Sequence, residues 1–233
     1  MATLQSAVIV LAAGAALLFG AYLFWRHFWF FRNPRRVPPE GEGILSPADG
    51  TVVYVKRVEP GDPVISIKGP RTLTVTDISG EDQDEPMVII GVFMSPFDVH
   101  YNRAPLSGSV ESIRHRPARL NLHMGSMHWR AIRRKFPIYE NSPHILENER
   151  TVTRLRGRFK RDFVSCYLVQ IAGGSVRGVD SYIPLGGLVE RGNIFGMIRI
   201  GSQVDTIVTW KEFMQIRVKP GDRVRAGETV LIE

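Results

Sequence analysis

Three short segments put polar, chemically competent side chains between apolar runs and turn-forming residues. They are SPADG at Ser46 to Gly50, MSPFDVHYNRAP at Met94 to Pro105 and GMIRIGSQVD at Gly196 to Asp205. A serine hydroxyl is a weak nucleophile until a base takes its proton. Histidine, titrating near neutrality, is the common base, and a carboxylate commonly orients it. Asp49, His100 and Ser202 supply one group of each kind, and drawing them from three loops of one scaffold is a frequent arrangement. Such residues also fall together by chance in a chain this long, so spacing alone leaves the set a candidate. The other histidines, His27, His115, His123, His128 and His144, match no compact ligand spacing and have few carboxylates among them. No metal is expected, and these histidines are expected at surfaces or interfaces. Ser126 with Lys135 offers a serine-protease pair that rests on two residues only.

The elements that must position these groups read as mainly β. TVVYVKRV, VISIK, TLTVTDI, MVIIGVFM, FVSCYLVQIA, GMIRI, DTIVTW and MQIRVK are short β-branched runs separated by turn residues, the texture of a sheet or barrel. Cys166, the only cysteine, lies in FVSCYLVQIA and is expected to be a buried strand residue outside the chemistry. GTVVYVKRVEPGDPVISI and FMQIRVKPGDRVRAGETVLIE form a weak internal repeat, each with a strand, a Pro-Gly-Asp turn and a second strand. Paired hairpins of this kind suggest a barrel-sandwich-like arrangement. The expected fold is thus mainly β (α+β), a single β-rich domain with barrel-sandwich-like hairpins.

A second element precedes it. Ala7 to Trp25 carry no charge and are almost wholly apolar, long enough at 1.5 Å per residue to cross a hydrocarbon core roughly 30 Å thick. A secretory signal would carry its basic residues before the apolar run, whereas Arg26, Arg32, Arg35 and Arg36 come after it. A retained N-terminal transmembrane helix at the cell membrane is expected, with the rest of the chain cytoplasmic by the positive-inside rule and Trp25 to Phe31 as an aromatic belt. NPRRVPPEGEG then reads as a stiff linker. The division expected is 1–36 for the anchor with its basic-aromatic flank and 37–233 for the domain.

The formal charge of +7 fits an anionic partner, and beside an anchor it points to lipid and not to nucleic acid. Between Glu111 and Lys135, seven arginines and lysines face one acid, mixed with Leu120, Leu122, Met124, Met127 and Trp129. That composition suits an anionic membrane surface, or equally a solvated basic loop.

Taken in order, the segments resemble the phosphatidylserine decarboxylases, particularly their short archaeal-like branch. FFRNPRR looks like the family's Phe-Arg-Asp-Pro motif, ILSPADGTVV its Ser-Pro-x-Asp-Gly segment and FMSPFDVHYNRAP its histidine segment; ENER (Glu147 to Arg150) looks like a short polar motif and FGMIRIGSQVD the processing site. The resemblance implies that Ser202 attacks the Gly201 carbonyl, cutting the chain into subunits of 1–201 and 202–233 and leaving a pyruvoyl group, derived from Ser202, as the cofactor. It also implies an enzyme, a carboxy-lyase made as a zymogen, that decarboxylates phosphatidylserine or a similar serine phospholipid such as archaetidylserine to the ethanolamine lipid through a Schiff base. His100 would be the proton donor, Asp49 would assist self-cleavage, and a homodimer is compatible with the family. Two positions depart from longer members: Arg103 stands where they carry a second histidine, and Gln203 where they carry Ser or Thr. Arg103 stays protonated and cannot be an ordinary base, so a contact to the substrate's carboxylate or phosphate is the alternative. A non-enzymatic membrane-anchored hybrid-barrel adaptor is the competing function, and it leaves the three polar segments unexplained.

Overall fold

A computed structural model describes residues 2–67, 71–174, 178–199 and 201–233. The chain divides into two compact units, residues 1–34 and 35–233. In the first, Ala2–Phe24 is an α-helix that runs on into a wider π-helical turn, Trp25–Phe30. Together they form one helix long and apolar enough to cross a membrane.

The second unit is β-rich, as expected. Its centre is an eight-stranded antiparallel sheet curled into a half-barrel. Across the sheet the order is Leu188–Val189, Gly108–Arg116, Arg150–Phe159, Asp162–Ala172, Ser202–Thr209, Met87–Met94, Gly50–Val58 and Arg223–Val224. A smaller sheet joins Val179–Ser181, Ile194–Ile198 and Tyr101–Arg103. Alternation along a strand sends successive side chains to opposite faces, and here both faces are covered. Val88, Ile90, Val92 and Met94 enter one core with Leu168, Val204 and Val208, while Met87, Ile89 and Phe93 enter a second with Val169 and Ile207. That double burial explains why MVIIGVFM is apolar without alternation. Cys166 lies in the first core, where burial pushes its thiol up.

The two Pro-Gly-Asp turns are matching structures. In each, glycine takes a left-handed φ, +83° at Gly61 and +95° at Gly221, and the aspartate carboxylate accepts the N–H three residues back, Glu59 or Lys219. The flanks differ from expectation. Gly221 donates to the Val52 carbonyl and Asp222 accepts from the Val52 N–H, so the second turn closes on the first strand of the other repeat. MQIRVK keeps a single bridge, Ile216 to Ile232, and TLTVTDI is strand only through Leu73. Thr74 then caps the five-residue helix Val75–Ser79: its hydroxyl accepts from Asp77 N–H and its own N–H donates to the Asp77 carboxylate. This reciprocal capping box overrides the β preference of the run. Arg150–Phe159 is a full strand that sequence reading missed, because Arg154, Arg156 and Arg158 occupy its less buried positions.

Candidate active site

Ser202 opens the central strand of the large sheet, opposite Met94 on one side and Ala172 on the other. The residue before it, Gly201, has φ +55° with nothing within 4 Å of where a Cβ would stand. Glycine adopts that left-handed turn without the penalty a side chain would bring. The Ser202 side chain is fully buried, and its hydroxyl donates to Met94 Sδ at 3.3 Å. A thioether is a weak acceptor, so little interaction is lost when that hydroxyl turns to attack. Asn102 donates to the same sulfur at 3.7 Å and is itself held by Gln170 Nε2 at 2.8 Å. Both amides are buried. They fix the Met94 side of the site and were not legible in the sequence, since their partners lie far away along the chain.

His100 is positioned by the turn before it. Ser95 N–H donates to the Asp98 carboxylate at 2.8 Å and Asp98 N–H to the Ser95 carbonyl at 3.0 Å, a self-bonded turn typical of Ser and Asp. The His100 ring is fully buried, with Nδ1 2.9 Å from the Asp98 carbonyl oxygen. A carbonyl can only accept, so Nδ1 carries a proton, and in the neutral form of the ring that leaves the lone pair on Nε2. Asp98 also forms an ion pair with Arg223. Burial works against the Asp98 charge, but the Arg223 guanidinium together with the Ser95 hydrogen bonds holds the carboxyl below its ordinary value.

Asp49 belongs to the same end of the sheet. Thr51 and Gln203 both lie opposite Phe93, so the start of the SPADG strand and Ser202 are two strand spacings apart, roughly 10 Å. Gly50 is required there, because a Cβ would come within 2.1 Å of the Phe93 carbonyl oxygen. The Asp49 carboxylate accepts from Ala226 N–H and from Arg36, each at 2.7 Å, and Arg36 also reaches Glu228 at 2.8 Å. Burial raises the Asp49 carboxyl above its ordinary value, against the pull of the Ala226 N–H and Arg36. Arg36, read in the sequence as part of the basic flank, thus serves a carboxylate of the site. Arg103 donates to the Gly192 carbonyl at 2.9 Å and feels both Arg36 and Asp49. Among the described residues no hydrogen bond links the side chains of Asp49, His100 and Ser202 directly. Ser126 is exposed, and no hydrogen bond joins it to Lys135 among the described residues.

A cleft of about 180 Å³ opens beside Gly201, lined by Phe93, Pro96, His123, Met124, His128 and Gly174. ENER forms its support. Asn148 accepts from Leu122 N–H at 2.8 Å and donates to the carbonyls of Leu122 and Ala172 at 2.9 and 2.7 Å. One side chain therefore ties the cleft wall to the strand that flanks Ser202.

Residues 23–232 match the family model described as phosphatidylserine decarboxylase. The chain belongs to the phosphatidylserine decarboxylase family. Among its relatives, the putative archaetidylserine decarboxylase proenzyme of Methanothermobacter thermautotrophicus is 36% identical over 208 residues, 87% of this chain and 78% of that protein. The phosphatidylserine decarboxylase proenzyme of Pelobacter propionicus is 35% identical over 229 residues, 93% of this chain and 83% of the relative. That of Saccharopolyspora erythraea is 34% identical over 221 residues, 94% and 78%. About four fifths of each relative's length is spanned, and their names are those of proenzymes.

The departure at Gln203 has a structural account. Alternation turns its side chain to the face opposite Ser202, where Nε2 donates to Tyr54 OH at 2.8 Å and to Asp205 Oδ1 at 2.7 Å. His144 shares this buried network, which corrects the expectation that it lies at a surface. Burial raises the Asp205 carboxyl to about 6 and lowers the His144 imidazole to about 4. From pH 4 to 6 the unfolded chain ionises Asp205 while the folded one holds it neutral, so stability from this group falls as pH rises. Over nearly the same interval, pH 4 to 6.5, the unfolded chain protonates His144 while the folded one does not, so stability from that group rises with pH. The two effects oppose each other over this range. Thermal unfolding against pH is expected to expose them: relative to the parent, His144→Gln loses stability from pH 4 to 6, whereas Asp205→Asn gains it.

Proposed function

We propose that the chain cuts itself between Gly201 and Ser202 and then decarboxylates a serine phospholipid, phosphatidylserine or an ether-linked counterpart such as archaetidylserine, to the ethanolamine lipid. The observation that carries this reading is a buried serine with a weakly held hydroxyl, directly after an unobstructed left-handed glycine on the wall of a cleft. It stands in a chain whose family is described by its relatives as decarboxylase proenzymes.

In the first stage His100 Nε2 takes the Ser202 proton as Oγ adds to the Gly201 carbonyl, and the peptide C–N bond gives way to an ester. Loss of the ester by elimination releases residues 1–201, and hydrolysis of the remaining dehydroalanine, with departure of ammonia, leaves the pyruvoyl end of residues 202–233. Asp49, fixed by Arg36 and Ala226, supplies the carboxylate that polarises this end of the site. Arg103 adds positive charge and is assigned the substrate's carboxylate. The residues fit the group: its precursor is buried between Met94 and Ala172, and a cleft adjoins it at Gly201. Once formed, that group would supply an electrophilic carbonyl and an electron sink for the bond to the departing carboxylate. His100 then returns a proton to the substrate carbon. No metal is assigned a part.

The location follows from chemistry of the same kind. Residues 1–36 anchor the chain in the cell membrane, with Arg26, Arg32 and Arg35 on the cytoplasmic side, and residues 37–233 form the decarboxylase. Exposed Trp129, Ile132 and Phe136 beside exposed Arg133 and Lys135 suit contact with an anionic bilayer surface. A homodimer is compatible with this arrangement. The test is release of carboxyl-labelled carbon dioxide from vesicles containing phosphatidylserine or archaetidylserine. Release from at least one lipid is expected, and no release from either by correctly cut protein contradicts the proposal.

A further inference from the structure

The cleft beside Gly201 does not end at His128. A second cavity, of about 380 Å³, shares Phe93 and His128 with it and is lined further by Thr51, Ser95, Arg134 and Arg223. Its wall offers two guanidinium groups, an imidazole and two hydroxyls, and no carboxylate side chain is among its lining residues. The two cations differ. Arg223 is engaged by Asp98, whereas Arg134 has no carboxylate partner among the described residues. Arg134 is also held at φ +51°, just past the helix Gly125–Ile132. Glycine is the favoured residue where a helix ends in that left-handed conformation, and any side chain there costs stability. A costly arginine whose charge is unmatched and lines a cavity is accounted for by an anion that binds there.

We propose that this outer cavity, with Arg134 and His128, is the subsite for the phosphodiester of the substrate. The inference rests on the decarboxylase reading. The reacting amine must reach the residue that follows Gly201, which lines the inner cleft, and in a serine phospholipid the phosphorus stands three bonds beyond the amine-bearing carbon, a reach suited to an adjoining cavity that shares Phe93 and His128. Phe97 and Ile132 line the outer cavity and are 63% and 59% exposed, so the glycerol and its chains leave over an apolar rim.

The test uses binding and not turnover. In the full-length Ser202→Ala chain, which keeps the continuous backbone, the probe is glycerophosphoserine, soluble and without acyl chains, with free serine as the comparison. Adding Arg134→Gly is expected to weaken glycerophosphoserine about tenfold, to leave serine unchanged and to raise the unfolding temperature, since glycine relieves the left-handed turn. Arg134→Lys is expected to recover part of the affinity. Unchanged glycerophosphoserine affinity in Arg134→Gly overturns the subsite, as does the absence of any binding to the parent. Weakening seen only with anionic vesicles overturns it too, and assigns Arg134 to the bilayer. Arg134-dependent binding in a chain whose correctly cut form releases no carbon dioxide would keep the subsite and defeat the decarboxylase reading, so the two failures are distinguishable.

Discussion

Ser202→Ala is expected to leave the chain as one piece of 233 residues with no decarboxylase activity. The variant removes a single oxygen from a fully buried position, where the hydroxyl donates to the weakly accepting Met94 sulfur. The strand pairing to Met94 and Ala172 uses backbone groups that alanine retains, so the fold is expected to survive at a cost of about 1 kcal/mol or less. The loss of processing is therefore chemical. Without Oγ nothing can add to the Gly201 carbonyl, no cut follows, and no carbonyl forms at the end of the new chain. Gel mobility and carbon dioxide release measured on one preparation check both parts together.

The second large effect is at His100. His100→Ala is expected to lower carbon dioxide release by at least about a hundredfold, the range for a lost general acid or base. Nδ1 is committed as a donor to the Asp98 carbonyl, which fixes the ring's orientation. Arg103 cannot replace it, because its guanidinium keeps its proton and donates to the Gly192 carbonyl. With His100 as the base of self-cleavage, the variant is expected to accumulate uncut. A variant cut normally but inactive would confine His100 to the later proton return. Normal turnover would remove His100 from the mechanism.

Part of this site was legible because its residues are local. Ser202 follows glycine at the start of a β-branched run, and Asp49 and His100 sit beside Pro, Gly, Ser and Asp residues whose turn chemistry marks a loop. What holds them was not legible. Asn102 meets Gln170, Asp98 meets Arg223, and Asn148 meets Leu122 and Ala172; each is a pairing between distant segments that no local pattern records. Arg36 was read by its neighbours as flank and is bound to Asp49. The sequence puts His144 at a surface or interface, since its spacing fits no ligand motif, but tertiary burial near Gln203 and Arg150 sets its state.

The fold divides along the same line. MVIIGVFM and FVSCYLVQIA declare themselves as strands because both faces are buried, and the two Pro-Gly-Asp turns because their chemistry is local. Arg150–Phe159 hides behind its arginines, and Thr74 with Asp77 ends a strand run by capping a helix. The apolar N-terminal helix was the easiest element to read, since length and composition alone mark it.

The most direct measurement is the intact mass of the purified wild-type protein. Two chains are predicted, residues 1–201 and a piece of 32 residues whose first residue was Ser202 and whose end gives no free amine. A single uncut chain that still releases carbon dioxide from a serine phospholipid would contradict the account.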